Sequence, residues 1–110
     1  MSSTQPKKYD KLVRDRIPEI IKLRGGRPVF RKAGEGEYQA KLKDKLREET
    51  EEFLKAETPD QAKEELADVL EVLHAAADSL GCTMHDIEVL RIKKAEERGA
   101  FRERLILEEA

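Results

Sequence analysis

The sequence predicts an all-α protein that folds as an antiparallel helical bundle. Charged residues make up 42% of the 110 residues and aromatic residues only 5%. This balance suits amphipathic helices with charged outer faces better than a β-sandwich. Apolar residues also recur at the helical spacing of three or four through two long segments. The length fits one small domain over residues 1–110.

The first part of the chain predicts one short helix and a minor β pairing. Residues 1–8 are polar, and we expect them to be disordered. A helix is predicted to begin near Asp15 or Arg16 and to end at the glycine pair 25–26. A short strand over residues 28–32 is predicted to pair with residues 102–107 near the end of the chain.

Three further helices follow. We place the second over residues 37–56 and the third over residues 59–80, with Thr58 as N-cap and Gln61 completing a capping box. Gly81 is the predicted residue after the carboxyl end of the third helix. The fourth helix is predicted to begin at Thr83–Asp86 and to end at Gly99. The sequence shows no internal repeat or linker.

The second predicted helix carries glutamates on its apolar side. Its apolar stripe, at about 100° per residue, consists of Leu42, Leu46 and Phe53. Glu49 falls inside this stripe, Glu52 lies one turn away on its flank, and Glu51 points to the opposite side. A carboxylate within an apolar stripe is costly unless something compensates its charge.

The third predicted helix shows the same feature. We predict its core face to consist of Leu66, Leu70, Leu73, Ala77 and Leu80. Glu65 borders this face and Asp68 lies one step further round. Because the turn near Glu57 is short, the two helices are expected to be antiparallel neighbours. Each acidic pair then lies roughly 11 to 13 Å from the turn, so four carboxylates converge.

Converging carboxylates repel one another unless they are protonated or bind cations. Oxygen ligands suit hard cations such as Mg²⁺, Mn²⁺ or Ca²⁺, and Mg²⁺ commonly bridges carboxylates to substrate phosphates. The pattern therefore favours metal-dependent hydrolysis of a phosphate compound. The alternative is a solvated acidic face with incidental ion pairs at helical spacing.

The motif EExxE at residues 48–52, followed by ExxD at residues 65–68, resembles that of the all-α nucleoside triphosphate (NTP) pyrophosphatases. These include MazG, dimeric dUTPases, dCTP pyrophosphatases and phosphoribosyl-ATP pyrophosphohydrolase. Segments 9–21 and 97–109 are similar to the phosphoribosyl-ATP-pyrophosphohydrolase-like subgroup of MazG-like proteins. The metal ligands implied by the resemblance are Glu49, Glu52, Glu65 and Asp68. Catalytic roles fall to Glu48 and Glu49, with Glu48 binding a second metal or orienting water.

The resemblance implies Mg²⁺-dependent hydrolysis of an NTP to nucleoside monophosphate and pyrophosphate, with Mn²⁺ as the alternative cofactor. Basic side chains are expected to bind the triphosphate. The candidates are Lys45, Lys94 and Arg98, with Lys11, Arg14 and Arg16 from the amino-terminal motif. The resemblance leaves two alternatives: phosphoribosyl-ATP as the substrate, or a non-catalytic helical interaction module.

Partner expectations follow from composition and from the breadth of the third helix's apolar surface. The net charge is −2 without a basic block, which argues against a nucleic acid polymer as partner. The sequence has neither an 18-residue apolar run nor a signal-like start, which predicts no membrane association and a cytoplasmic location. One neighbouring helix cannot cover the third helix, so we expect a homodimer or homotetramer.

Overall fold

The computed structural model describes residues 7–110, and the regular secondary structure of this part of the chain is entirely helical. Its helices are α1 (Ile17–Leu23), α2 (Glu35–Leu54), α3 (Pro59–Ser79) and α4 (Met84–Arg98). The all-α prediction is confirmed. Most of the segment expected to be disordered, residues 1–8, lies outside the described residues, and residues 7 and 8 have no regular secondary structure.

The predicted β pairing is wrong, because no residue from 7 to 110 lies in a strand. Residues 28–32 and 102–107 both lack regular structure. Val29 is fully exposed and Ile106 is 83% exposed, so neither segment has an apolar surface to pack against. An isolated two-stranded pairing is at best marginally stable in water, which accounts for the difference.

The chain forms two compact units, which divide within α3 between Val72 and Leu73. The first unit contains α1, α2 and α3 up to Val72. The second contains the end of α3, α4 and the residues that follow. One domain over residues 1–110 stays a prediction.

Side-chain caps fix the beginnings of α3 and α4. Thr58 Oγ1 accepts a hydrogen bond from the Gln61 N–H at 3.1 Å, as the predicted capping box requires. Gln61 Oε1 accepts from the N–H of Glu57 rather than that of Thr58. At α4, Thr83 and Asp86 form a complete capping box. These contacts satisfy N–H groups that have no partner within the helix.

Glycines with positive φ end α1 and α3. Gly81 has φ 77°, and its N–H donates to the carbonyl of Asp78 while the next N–H, that of Cys82, donates to Ala77. These two bonds form a Schellman motif, in which the left-handed residue is usually glycine. Gly25, with φ 88°, ends α1 in the same way. The predicted helix ends at both glycines are confirmed.

The predicted core face of α3 is wrong for the single chain. Four of its five members are exposed, from 39% at Leu73 to 73% at Leu80. The buried apolar residues among those described are Leu42 and Val72 in the first unit and Ala77 in the second. Within the first unit, the Val72 side of α3 faces inward. Leu66 and Leu70, which we call the leucine row, stay exposed.

None of the helices in the described region is both long enough and apolar enough to cross a membrane.

Candidate metal site

A helical hairpin in the first unit brings acidic side chains together. Residues 55–58 connect α2 to α3. Carboxylate oxygens of Glu49, Glu65 and Asp68 all lie within 4.8 Å of one another. Ligand oxygens around an octahedral Mg²⁺ lie about 2.9 to 4.1 Å apart, given Mg–O bonds of 2.0–2.1 Å. The oxygen donors therefore suit one hard divalent cation, and the 4.8 Å limit on their separation exceeds the octahedral range by about 0.7 Å.

Glu49 is the most enclosed member of this triplet. Its side chain is 14% exposed, as its position among the apolar residues of α2 predicts. The Lys45 ammonium lies 3.4 Å from its carboxylate, one turn earlier on the same helix. A charge this enclosed is tolerated because a counter-ion accompanies it. Lys45 is itself only 17% exposed, so water screens this pair weakly.

Glu65 makes no ion pair or hydrogen bond with the described part of the chain. Burial raises the pKa of its carboxyl, and nearby carboxylates raise it further. These neighbours, in order of their effect, are Asp68, Glu52, Glu49 and Glu64. Each like charge disfavours the ionised form of Glu65. A bound cation would therefore stabilise the ionised form of Glu65 more than that of Glu49 or Asp68, which already have a cationic partner.

Glu52, the fourth predicted ligand, lies outside the triplet, and it is exposed. Its charge nevertheless contributes to the raised pKa of Glu65, whereas Glu51 does not appear among the contributors. This difference agrees with the predicted orientation of the two side chains around α2. Metal ligation by Glu52 stays a prediction.

Glu48 is held in its ionised form by two lysines. Its carboxylate accepts hydrogen bonds from Lys11 Nζ at 3.0 Å and from Lys45 Nζ at 3.3 Å. Burial by itself raises the pKa of Glu48, but the two lysines outweigh that effect and the net pKa is lowered. The carboxylate is therefore a permanent hydrogen-bond acceptor at neutral pH and a weak base.

Three of the predicted phosphate-binding cations lie against the acidic side chains. Lys11 and Lys45 contact Glu48, and an Arg14 guanidinium nitrogen lies 2.7 Å from Asp68 Oδ1. Arg16 instead pairs with Glu19 in α1. Lys94 and Arg98 lie on α4, in the second unit, and their role stays a prediction.

The negative charges of the predicted site outnumber the positive charges that pair with them. The predicted site holds five carboxylates, Glu48, Glu49, Glu52, Glu65 and Asp68. Three cations, Lys11, Arg14 and Lys45, pair with members of this group. Two negative charges remain, which is the charge that one divalent cation neutralises. Ion pairing within this group therefore accounts for only part of the acidic charge.

A small open pocket of about 80 Å³ adjoins Glu49 and Asp68. Its lining includes three residues that the sequence did not point to, Leu12, Val13 and Glu71. Ligand pockets usually enclose about 300 to 1,000 Å³. This pocket has room for an ion and its water but not for a whole nucleotide.

Comparison with known proteins assigns no family. No family model and no solved structure matches the chain. The chain is similar to a protein of Mycolicibacterium smegmatis (strain ATCC 700084 / mc(2)155) named "Uncharacterized protein", with 51% identity over 53 residues. That match covers 48% of this chain and 54% of the relative, so the chain spans about half the length of the curated relative it matches.

Proposed function

We propose that this protein hydrolyses a nucleoside triphosphate to nucleoside monophosphate and pyrophosphate in the presence of Mg²⁺. The observation that carries the proposal is the triplet of Glu49, Glu65 and Asp68, with carboxylate oxygens within 4.8 Å on two neighbouring helices. The resemblance of residues 48–52 and 65–68 to the all-α NTP pyrophosphatase motif supports it.

In this proposal Glu49, Glu65 and Asp68 would hold the cation. The negative charge of Glu52, which acts on Glu65, would add to the electrostatic attraction for the cation. A bound divalent cation would offset charge on phosphate oxygens and make water more nucleophilic. Glu48 then orients the attacking water, because its lowered pKa keeps it ionised as a hydrogen-bond acceptor. This role for Glu48 is chosen over that of a second metal ligand because both lysines already compensate its charge.

The basic residues would bind the remaining phosphate oxygens. Lys11, Arg14 and Lys45 lie beside the carboxylates in the first unit, and Lys94 and Arg98 are candidates from α4. Arginine binds phosphate through paired hydrogen bonds, whereas lysine acts as a point charge. We also propose a homodimer or homotetramer, because the leucine row of α3 is exposed on the single chain. A cytoplasmic location is proposed from the sequence, which has no 18-residue apolar run and no signal-like start.

Pyrophosphate release from a panel of NTPs, dNTPs and phosphoribosyl-ATP tests this function. The natural chain is expected to turn over nucleotides with Mg²⁺ and to stop when a chelator removes the metal. Glu65→Gln should reduce the rate about 100-fold or more, because it removes a ligand charge that no neighbouring cation replaces. Glu51→Gln removes an exposed glutamate of α2 that does not contribute to the raised pKa of Glu65. It is the matched control and should retain activity.

Turnover of phosphoribosyl-ATP alone would replace the proposed substrate with that one. No pyrophosphate from any compound in the panel would contradict the enzymatic proposal and favour a non-catalytic helical interaction module. Circular dichroism of each variant shows whether a lost activity reflects a lost fold.

A further inference from the structure

A short segment before α1 lies across the helical hairpin and contacts both of its helices. The backbone carbonyl of Asp10 accepts a hydrogen bond from Lys41 Nζ on α2 at 2.7 Å. Lys11 pairs with Glu48 on α2, and Arg14 pairs with Asp68 on α3. We call residues 10–14 the strap.

The middle of the strap lines the acidic pocket. Leu12 and Val13 line this pocket together with Glu49 and Val72. Apolar contact in the middle and polar contacts at both ends therefore hold the strap against α2 and α3. One of its cations is bound to a carboxylate that belongs to the metal triplet, namely Asp68.

The contact between Arg14 and Asp68 is open to water. The two side chains are 55% and 40% exposed. Ion pairs as exposed as this one contribute about 0 to 1 kcal/mol, because solvent screens them and ordering the side chains costs entropy. A contact this weak leaves the Asp68 carboxylate accessible to a competing cation.

We propose that the strap is an internal counter-ion that lowers the affinity of the carboxylate triplet for Mg²⁺ and is displaced from Asp68 when Mg²⁺ binds. The inference rests on the proposed function, since it regulates the same site. A guanidinium 2.7 Å from one ligand carboxylate repels an approaching divalent cation and neutralises charge that would otherwise attract it.

Calorimetric titration of the full chain with Mg²⁺ tests the proposal without an activity assay. Arg14→Gln should bind Mg²⁺ roughly two- to fivefold more tightly than the natural chain, which is the range an exposed ion pair supplies. Arg14→Lys keeps the charge and should stay near the natural affinity. Arg47→Gln removes an exposed arginine that pairs with Asp44, outside the triplet, and should leave the affinity unchanged.

The Mg²⁺ affinities of the four proteins separate the role of the strap from the existence of the metal site. Equal Mg²⁺ affinities in all four proteins, or weaker Mg²⁺ binding by Arg14→Gln, would contradict the proposed role of the strap while leaving the proposed metal site intact. An equal gain in Arg14→Gln and Arg47→Gln would also overturn it, because the effect would then be one of overall charge. Absence of Mg²⁺ binding in every protein would reject both the strap and the proposed function.

Discussion

At the scale of single residues, Glu65 differs from Glu48, Glu49 and Asp68. Glu48, Glu49 and Asp68 each have a cation within 3.5 Å, whereas Glu65 has none among the described residues. Its carboxyl combines partial burial with the repulsion of its acidic neighbours. The same residue therefore destabilises the metal-free fold and provides part of the uncompensated charge of the candidate site.

Removal of this charge is expected to stabilise the metal-free protein. In buffer at pH 7 with a chelator to remove metal ions, Glu65→Gln should have a higher free energy of unfolding than the natural chain. The reason is that glutamine is not repelled by the neighbouring carboxylates. Urea titrations followed by circular dichroism measure the difference, with Glu51→Gln as control because Glu51 does not contribute to the raised pKa of Glu65. A clear loss of stability in Glu65→Gln at pH 7 would contradict the electrostatic account.

The pH dependence of this difference has a definite sign. The pKa of Glu65 is raised above its ordinary value of 4.5, so at intermediate pH the folded state binds more protons at this site than the unfolded state. Below pH 4.5 the carboxyl of Glu65 is protonated in both states, and the protein has the full stability that this group contributes. That stability is lost as the pH rises through the pKa of the folded state. The gain from Glu65→Gln should therefore vanish near pH 4 in the same titrations.

At the scale of helices, the rotation of α2 about its axis decides which glutamates serve the site. Glu51 and Glu52 are adjacent and both exposed, but only Glu52 contributes to the raised pKa of Glu65. Helix periodicity places successive side chains about 100° apart, so neighbours in sequence face different surroundings.

Glu52→Gln should weaken Mg²⁺ binding and nucleotide turnover far more than Glu51→Gln does. The reason is that only the first substitution removes negative charge near Glu65. Parallel calorimetric and pyrophosphate measurements on the two variants provide the comparison. Equal losses would mean that the proposed orientation of α2 in the site is incorrect.

Helix ends offer a second test at this scale. Gly81→Ala should lower the free energy of unfolding by about 1 kcal/mol, because its φ of 77° strains any residue with a Cβ. Gly36→Ala, inside α2 and with open space around its Cβ position, should raise stability by about 0.5 kcal/mol. Urea unfolding measures both, and the same sign for both changes would contradict the assigned backbone conformations.

At the scale of the whole molecule, the proposed assembly rests on the exposed leucine row of α3. Leu66 and Leu70 are 50% and 49% exposed, and both lie on the face that the sequence assigned to the core. Apolar surface left in water is costly, and its removal is the main driving force for association. We expect this row to be covered by a second copy of the chain.

Light scattering at micromolar concentration should therefore show a dimer or a tetramer. Leu70→Lys should shift the protein toward the monomer, since it places a charge within the row. Leu54→Lys is the control, because Leu54 is 67% exposed but lies at the end of α2, outside the row. A monomeric natural chain, or equal effects of both substitutions, would contradict this assembly.

The sequence predicted what local chemistry determines. Thr83, Asp86 and Gly81 act within one turn of their helix ends, so those boundaries could be read directly. Periodicity also placed Glu49 in the apolar stripe of α2. Periodicity indicates which residues share a face but not which face packs against the rest of the chain. It therefore does not predict that Val72, rather than Leu66 and Leu70, is buried in the first unit.

Helix periodicity and capping patterns do not predict contacts between residues far apart in the sequence. The pairing of Arg14 with Asp68 joins residues 54 positions apart, and no local pattern specifies it. The sequence identified Arg14 only as a basic residue suited to phosphate. Its contact with an acid of the site follows from how the segment before α1 lies across the hairpin, which depends on the tertiary structure.

The most direct test of the central claim is a crystal structure of the protein soaked with Mn²⁺ and a non-hydrolysable NTP analogue. We predict an anomalous peak between the carboxylates of Glu49, Glu65 and Asp68, with phosphate oxygens completing the coordination. A structure in which these side chains surround no ion, with Mn²⁺ and the analogue in excess, would contradict it.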